Sequence, residues 1–213
     1  PMLTLSRICG SGVQSIVSGA QMIMLDEAQT VVAGGMENLS QAPHVLRGMR
    51  DTYKLARPPR AGTELEKDME DYLFTNLLDG MCGSFMAQTS DEICKRKGVT
   101  REETDEFAAM SHSRTAKSIA DGIWEQEIVP VNDVTFKDED HVVLGSTPES
   151  LSELRTAFGP ESLVTAGNAS GVVDGAAAVV IKSASKAKAD GDSPLARIVS
   201  WGIVGLEPAI MAY

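Results

Sequence analysis

The sequence is poor in the residues that build disulfide frameworks, metal centres and membrane spans. Its three cysteines, at 9, 82 and 94, form neither a CxxC pair nor an even set, so a disulfide scaffold is excluded and a reducing compartment is expected. Its three histidines, His44, His112 and His141, stand far apart, none in an HExxH or similar ligand spacing, and no metal site is read from them. No apolar run of about eighteen residues is present, and no basic segment followed by an apolar stretch opens the chain. Neither a membrane span nor a signal peptide is expected, and the protein is not read as secreted. Positive charge is also scarce. Nineteen basic residues face thirty acidic ones, a net charge of -11 that opposes nonspecific binding to nucleic acid or to an anionic membrane.

What the chain does have is apolar content: 43% of its 213 residues are hydrophobic, enough for one large domain or two small ones with a core. It enters an extended segment, PMLTLSRIC, at once and stops at EPAIMAY without a capping tail, as an internal piece of something longer would. After RICGSG, the apolar positions Val13, Ile16, Val17, Ala20, Ile23 and Met24 repeat at the three-and-four spacing of one helical face. Next, AQTVVAGGMEN is a β-branched run ending in a glycine pair, which predicts a buried strand. Strand, helix and strand make a βαβ unit, with a parallel sheet and ligand loops at the strands' carboxyl ends.

Cys9 therefore falls at a helix entrance. Two readings stand open there. Free cysteine is often a small buried residue without chemistry. Against that, the unpaired N–H groups of a helix N-terminus lower a thiol's pKa, and glycines let a backbone amide reach a developing oxyanion.

From Ser40 onward the sequence turns charged and irregular. Arg47, Arg50, Lys54, Arg57 and Arg60 form a basic run that fits either phosphates or a solvated or subunit-facing loop. SFMAQTSDEICKRK reads as a helix with Cys94 in the core, and TREETDEFAAMSHSRTAKSIADG as a longer one. That second helix has a capping box at Thr100 and Glu103 and a stop at Gly122. IWEQEIVPVNDVTF reads as extended and ESLSELRTAF as a short helix. VTAGNASGVVDGAAAVVIKS then places Gly167, Gly171 and Gly175 around Asn168, Ser170 and Asp174, a tight turn feeding a strand. The turn fits close packing or a ligand lying against the backbone. PLARIVSWGIVG reads as the start of another strand.

RICGSG, VVAGGMENLSQAPH and VTAGNASGVVDGAAAV, in this order, resemble the thiolase family, the acetyl-CoA and 3-ketoacyl-CoA acyltransferases. The resemblance runs along essentially the whole chain. It implies a partial thiolase-like α/β fold. Residues 1–42 would be part of the N-terminal half, 43–171 the loop domain over the active site and coenzyme A, 172–194 the returning N-terminal half, and 195–213 the start of the C-terminal half. Cys9 would be the nucleophile that takes up the acyl group as a thioester, with its backbone N–H in the oxyanion hole. Leu77, Met86, Ser150, Phe158, Ala166 and Ser170 match the coenzyme A pocket. Leu77, Met86 and Phe158 equally suit core packing, whereas Ala166 and Ser170 suit close approach of a pantetheine arm.

The implied activity is an acyl-CoA C-acyltransferase that cleaves 3-ketoacyl-CoA with CoA or condenses two acetyl-CoA. Coenzyme A is a substrate, and no permanently bound cofactor is implied. The implied assembly is a homodimer or homotetramer, in a bacterial cytoplasm or the mitochondrial matrix. Rival readings are a noncatalytic CoA-binding or assembly module and a ketoacyl-synthase-type condensing enzyme. Phe85 stands where acetyl-specific members often have histidine, with Ala87 where glycine is frequent, which favours an acyl pocket other than a purely acetyl one. VVLGS stands where some members carry an arginine near the nucleotide. The family's base in a GHP motif, its second cysteine in CxG and its NEAF asparagine do not occur in these residues. The 213-residue chain alone is accordingly expected not to complete turnover.

Overall fold

The computed structural model describes residues 2–46, 69–131, 141–143, 145–211 and 213. Within them the chain runs from α1 (Ser11–Met24) to β1 (Thr30–Asn38), then through β2 (His44–Leu46), β3 (Met69–Asp71), α2 (Tyr72–Leu77), β4 (Leu78–Asp79) and β5 (Ser84–Phe85). The long helices α3 (Met86–Lys97) and α4 (Arg101–Ala120) follow, with a 3-10 turn at Ile123–Gln126 and the short α5 (Pro148–Ser152). β6 (Asp174–Lys182), α6 (Ala184–Asp190) and a 3-10 turn at Pro208–Ile210 complete the order. The basic run from Arg47 to Arg60 lies outside the described residues. Two compact units form, residues 1–43 with 172–205 and residues 44–171 with 206–213.

In the first unit, β1 and β6 pair antiparallel from Thr30↔Lys182 to Asn38↔Asp174. Period-two alternation gives this ribbon two faces. One carries Val31, Ala33 and Ile181 toward α1. Gly19 of α1 meets it so closely that a Cβ there would stand 3.1 Å from Val31 Cγ1 and 3.2 Å from Ile181 Cδ1. Val17 and Ala20 are buried on the same helix, whereas Val13 and Met24 overhang the ribbon at 70% and 72% exposure. The opposite face leaves Val32, Met36 and Val180 exposed.

Three expectations change here. β1 is covered on one face only. Residues 2–6 form no strand, and β1 finds its neighbour in β6, running antiparallel, so the parallel βαβ sheet does not form among the described residues. Residues 195–205 also lack a strand. The cause is common to both segments: an extended run becomes a strand only when a neighbour accepts its ladder hydrogen bonds, and the described residues supply none.

The second unit is built around α4, which begins and ends at the expected capping residues. Thr100 Oγ1 accepts the Glu103 N–H at 3.3 Å and Glu103 Oε2 accepts the Thr100 N–H at 2.8 Å, while Gly122 ends the segment at φ +69°. Ala108 and Ala109 pack against Leu151 of α5. The interior is otherwise notably polar, with Thr89, Asp105 and Thr165 each 1% exposed. Ile123–Gln126 coils into its 3-10 turn instead of extending, and Cys94 is half-buried, its helix burying Thr89 instead.

Candidate active site

Cys9 stands one residue ahead of Gly10, the N-cap of α1, and is exposed. The turn that delivers it is closed by Gly10 N–H to Arg7 O at 3.0 Å and Ser11 N–H to Ile8 O at 3.1 Å. Ser11 stitches the same turn with its side chain: Oγ accepts the Arg7 N–H at 2.7 Å and donates to Ile8 O at 2.6 Å. Between these bonds Ile8 is held at φ +48°. A β-branched residue in the left-handed region is a true outlier, costing about 1–2 kcal/mol. The surrounding bonds over-determine it, as they do at strained nucleophile turns that lift a reactive atom clear of its neighbours.

The other two cysteines are half-buried. Burial, and then the charge of Asp91, push the Cys94 thiol up, so it keeps its proton at neutral pH and is a weak nucleophile.

In the second unit, one candidate contact residue, Phe158, stacks on Phe85, and two others, Leu77 and Met86, flank the β4–β5 pair in sequence. Leu77 ends α2, and the next residue, Leu78, pairs with Phe85 across β4–β5. Met86 follows Phe85 as the first residue of α3. Phe158 stacks on Phe85 at 6.3 Å and 21°, and Phe74 meets it edge-on at 6.3 Å and 90°. Ser150 is exposed on α5, but its hydroxyl is already engaged, donating to Thr147 O at 2.9 Å and accepting the Thr147 N–H at 3.0 Å.

Ala166 and Ser170 are exposed on the turn that follows Thr165. Ser170 lines an open cleft of about 720 Å³ together with Thr104, Phe107 and His112 of α4. Asn168 gives the turn its shape, Oδ1 accepting the Thr165 N–H at 2.7 Å and Nδ2 donating to Leu163 O at 2.8 Å. The turn also presses on α5: a Cβ at Gly167 would lie 2.5 Å from both Leu151 Cδ2 and Leu154 Cδ1.

Sequence reasoning missed Ile8, because a β-branched residue carries no signal for positive φ. It also missed Ser11, although a hydroxyl just inside a helix N-terminus is a known partner for backbone groups. The buried Asp105 was hidden inside an acidic, apparently solvated stretch.

The family pattern described as Thiolase, N-terminal domain, matches residues 1–185. The acetyl-CoA acetyltransferase of Cupriavidus necator is 39% identical over 218 residues, an alignment covering 99% of this chain and 53% of that relative. The mitochondrial 3-ketoacyl-CoA thiolase of Homo sapiens is 38% identical over 217 residues, with the same coverage of each. The crystal structure of human mitochondrial 3-ketoacyl-CoA thiolase in complex with CoA matches with a TM-score of 0.88 at 38% identity, covering 100% of this chain and 52% of that one. The chain spans about half the length of the curated relatives it matches. Among the described residues no helix is long and apolar enough to cross a membrane.

Proposed function

The chain belongs to the thiolase family, and from that premise we propose that it carries the nucleophile and part of the coenzyme A contacts of an acyl-CoA C-acyltransferase. The observation that carries this reading is the exposed Cys9 on its strained, hydroxyl-stitched turn ahead of α1. In the thiolytic direction the Cys9 thiolate attacks the 3-keto carbon of a 3-ketoacyl-CoA. The Cα–Cβ bond breaks, acetyl-CoA leaves after taking a proton at its α-carbon, and the shortened acyl group stays on Sγ as a thioester. A second CoA thiolate attacks that thioester, the C–Sγ bond breaks, and the thiolate of Cys9 returns. The Cys9 backbone N–H forms part of the oxyanion hole for the tetrahedral intermediates at Sγ.

Residues 43–171 act as the cover over coenzyme A. Leu77, Met86 and Phe158 form its apolar wall around Phe85, and Ala166 and Ser170 take the pantetheine arm. Ser150 holds α5 through its cap and offers its remaining lone pair. Phe85, stacked on Phe158, stands where acetyl-specific members often have histidine, which favours an acyl pocket other than a purely acetyl one. The base that activates Cys9 and the group that moves the α-proton come from other parts of a whole thiolase, so the isolated chain completes no turnover. The whole protein assembles as a homodimer or homotetramer, in a bacterial cytoplasm or a mitochondrial matrix.

Calorimetric titration with CoA tests the cover. Binding that weakens at least tenfold in Ala166→Trp supports it. Binding indifferent to Ala166→Trp, or none in the folded chain, overturns the assignment of this turn.

A further inference from the structure

We propose that Asp105 is the positioning residue of the coenzyme A contact turn, a single buried carboxylate that fixes both the Thr165–Ser170 turn and the end of α5; the proposal rests on the coenzyme A reading of that turn. Asp105 lies in the second turn of α4 and is 1% exposed. Its Oδ2 accepts Arg101 Nε at 2.7 Å, and its Oδ1 accepts Asn168 Nδ2 at 3.1 Å. Each partner reaches onward. Arg101 Nη2 donates to the carbonyls of Leu151 and Leu154, at 2.8 and 3.2 Å, the first in the last turn of α5 and also accepting the Leu154 N–H at 3.1 Å, the second just past that helix. Asn168 holds Thr165 N–H and Leu163 O, and Thr165 Oγ1 in turn accepts the Gly167 N–H at 3.2 Å.

One carboxylate thereby ties to α4 two segments that lie 50 residues or more further along the chain. They carry three of the candidate contact residues, Ser150 on one and Ala166 and Ser170 on the other. A second tie from the same helix supports the turn, since His112 Nε2–H donates to Gly167 O at 3.2 Å two turns further along α4. A third comes from α3, where Asp91 Oδ1 accepts the Leu163 N–H at 2.8 Å. Ala166 and Ser170 are left facing solvent while the turn beneath them is tied twice to α4 and its approach at Leu163 once to α3. That is what a contact surface held within a fraction of an ångström requires. An apolar residue at 105 would fill the space without direction. The carboxylate, accepting from a guanidinium on one oxygen and an amide on the other, sets the orientation of both partners.

Residue-resolved amide hydrogen exchange and CoA titration, on the chain and its variants, test the proposal together. Asp105→Asn keeps the shape but turns an NH₂ toward a donor. It is expected to speed exchange at least tenfold at Thr165, Gly167 and Leu154, leave the central amides of α3 and α4 unchanged, and weaken CoA binding at least tenfold. Asn168→Ala cuts only the turn branch, so Thr165 and Gly167 are expected to exchange faster while Leu154 does not. That variant serves where Asp105→Asn does not fold. Uniform acceleration across residues 69–131 and 145–171, or exchange at Thr165 unchanged in both variants, would overturn the positioning role. A wild-type chain that binds no CoA overturns the coenzyme A reading instead, and the exchange pattern still decides whether Asp105 fixes the turn.

Discussion

The strain at Ile8 makes a prediction whose sign is opposite to the usual one. At an ordinary site glycine is less stable than alanine by about 0.5–1 kcal/mol, because it loses more backbone entropy on folding. At φ +48° an L-residue carries a left-handed penalty of about 1–2 kcal/mol that glycine does not. Ile8 is 71% exposed, so both truncations lose little buried area and their difference isolates the backbone. Ile8→Gly is therefore expected to be more stable than Ile8→Ala by about 0.5–1 kcal/mol. With a slope of about 1–3 kcal/mol per molar urea, the midpoint of the glycine variant would lie roughly 0.2–1 M higher. The chain has two tryptophans, Trp124 and Trp201, in different units. In a Trp124→Phe background the fluorescence of Trp201 reports the unit that contains Ile8. Alanine as stable as glycine, or more so, would refute the claim that the fold imposes this conformation on residue 8.

Two further perturbations test the first unit. At Gly34 a Cβ would stand 2.2 Å from Ala177 O and 2.9 Å from Ala178 Cα, both backbone atoms of β6, so Gly34→Ala is expected to destabilise by about 1–3 kcal/mol. At Gly12 in α1 a Cβ meets nothing within 4 Å, and Gly12→Ala is expected to stabilise by up to about 1 kcal/mol; urea unfolding read by Trp201 compares the two. The end of β6 also makes the unit acid-sensitive. Ser40 Oγ donates to Asp174 at 2.5 Å and Ser40 N–H at 2.9 Å, the hydroxyl first and the amide second holding that carboxyl below its ordinary value. A depressed native pKa contributes stability that is present above the unfolded value of about 3.9 and is lost as pH falls through the native one. Ser40→Ala is accordingly expected to lower the Trp201 unfolding midpoint at pH 6 but not at pH 2, and an equal loss at both would contradict the assignment.

How far the sequence could be read depended on whether a feature was local. The Thr100–Glu103 box, the stop at Gly122 and the centre of the apolar face of α1, Val17 and Ala20, depend on near neighbours in sequence and are where spacing put them, while Val13 and Met24 at its ends are exposed. Strand pairing is not local. Nothing in AQTVVAGGMEN says that its neighbour is a run beginning at Asp174, or that the two run antiparallel. The same limit made residues 2–6 and 195–205 look like strands, since apolar, extended-looking composition registers a preference and not a partner. At the site, the glycines and the helix after them placed Cys9 at a helix entrance but left packing and chemistry both open, and only the family resemblance implies the nucleophile. The conformation of Ile8 was not legible, because it is imposed by hydrogen bonds from Arg7 and Ser11 against the residue's own preference. Asp105 was illegible for a related reason: its partners Arg101 and Asn168 meet only after the chain has returned across α4.

The central claim is that Cys9 accepts the acyl group, and its most direct test is peptide-resolved mass spectrometry after incubating the chain and Cys9→Ala with acetyl-CoA and with acetoacetyl-CoA. The account predicts an acyl thioester on Cys9 ahead of Cys82 and Cys94, formed slowly without the activating base and absent from the variant. Acylation spread evenly over the three cysteines, or found on Cys82 or Cys94 while Cys9 stays free, would contradict it.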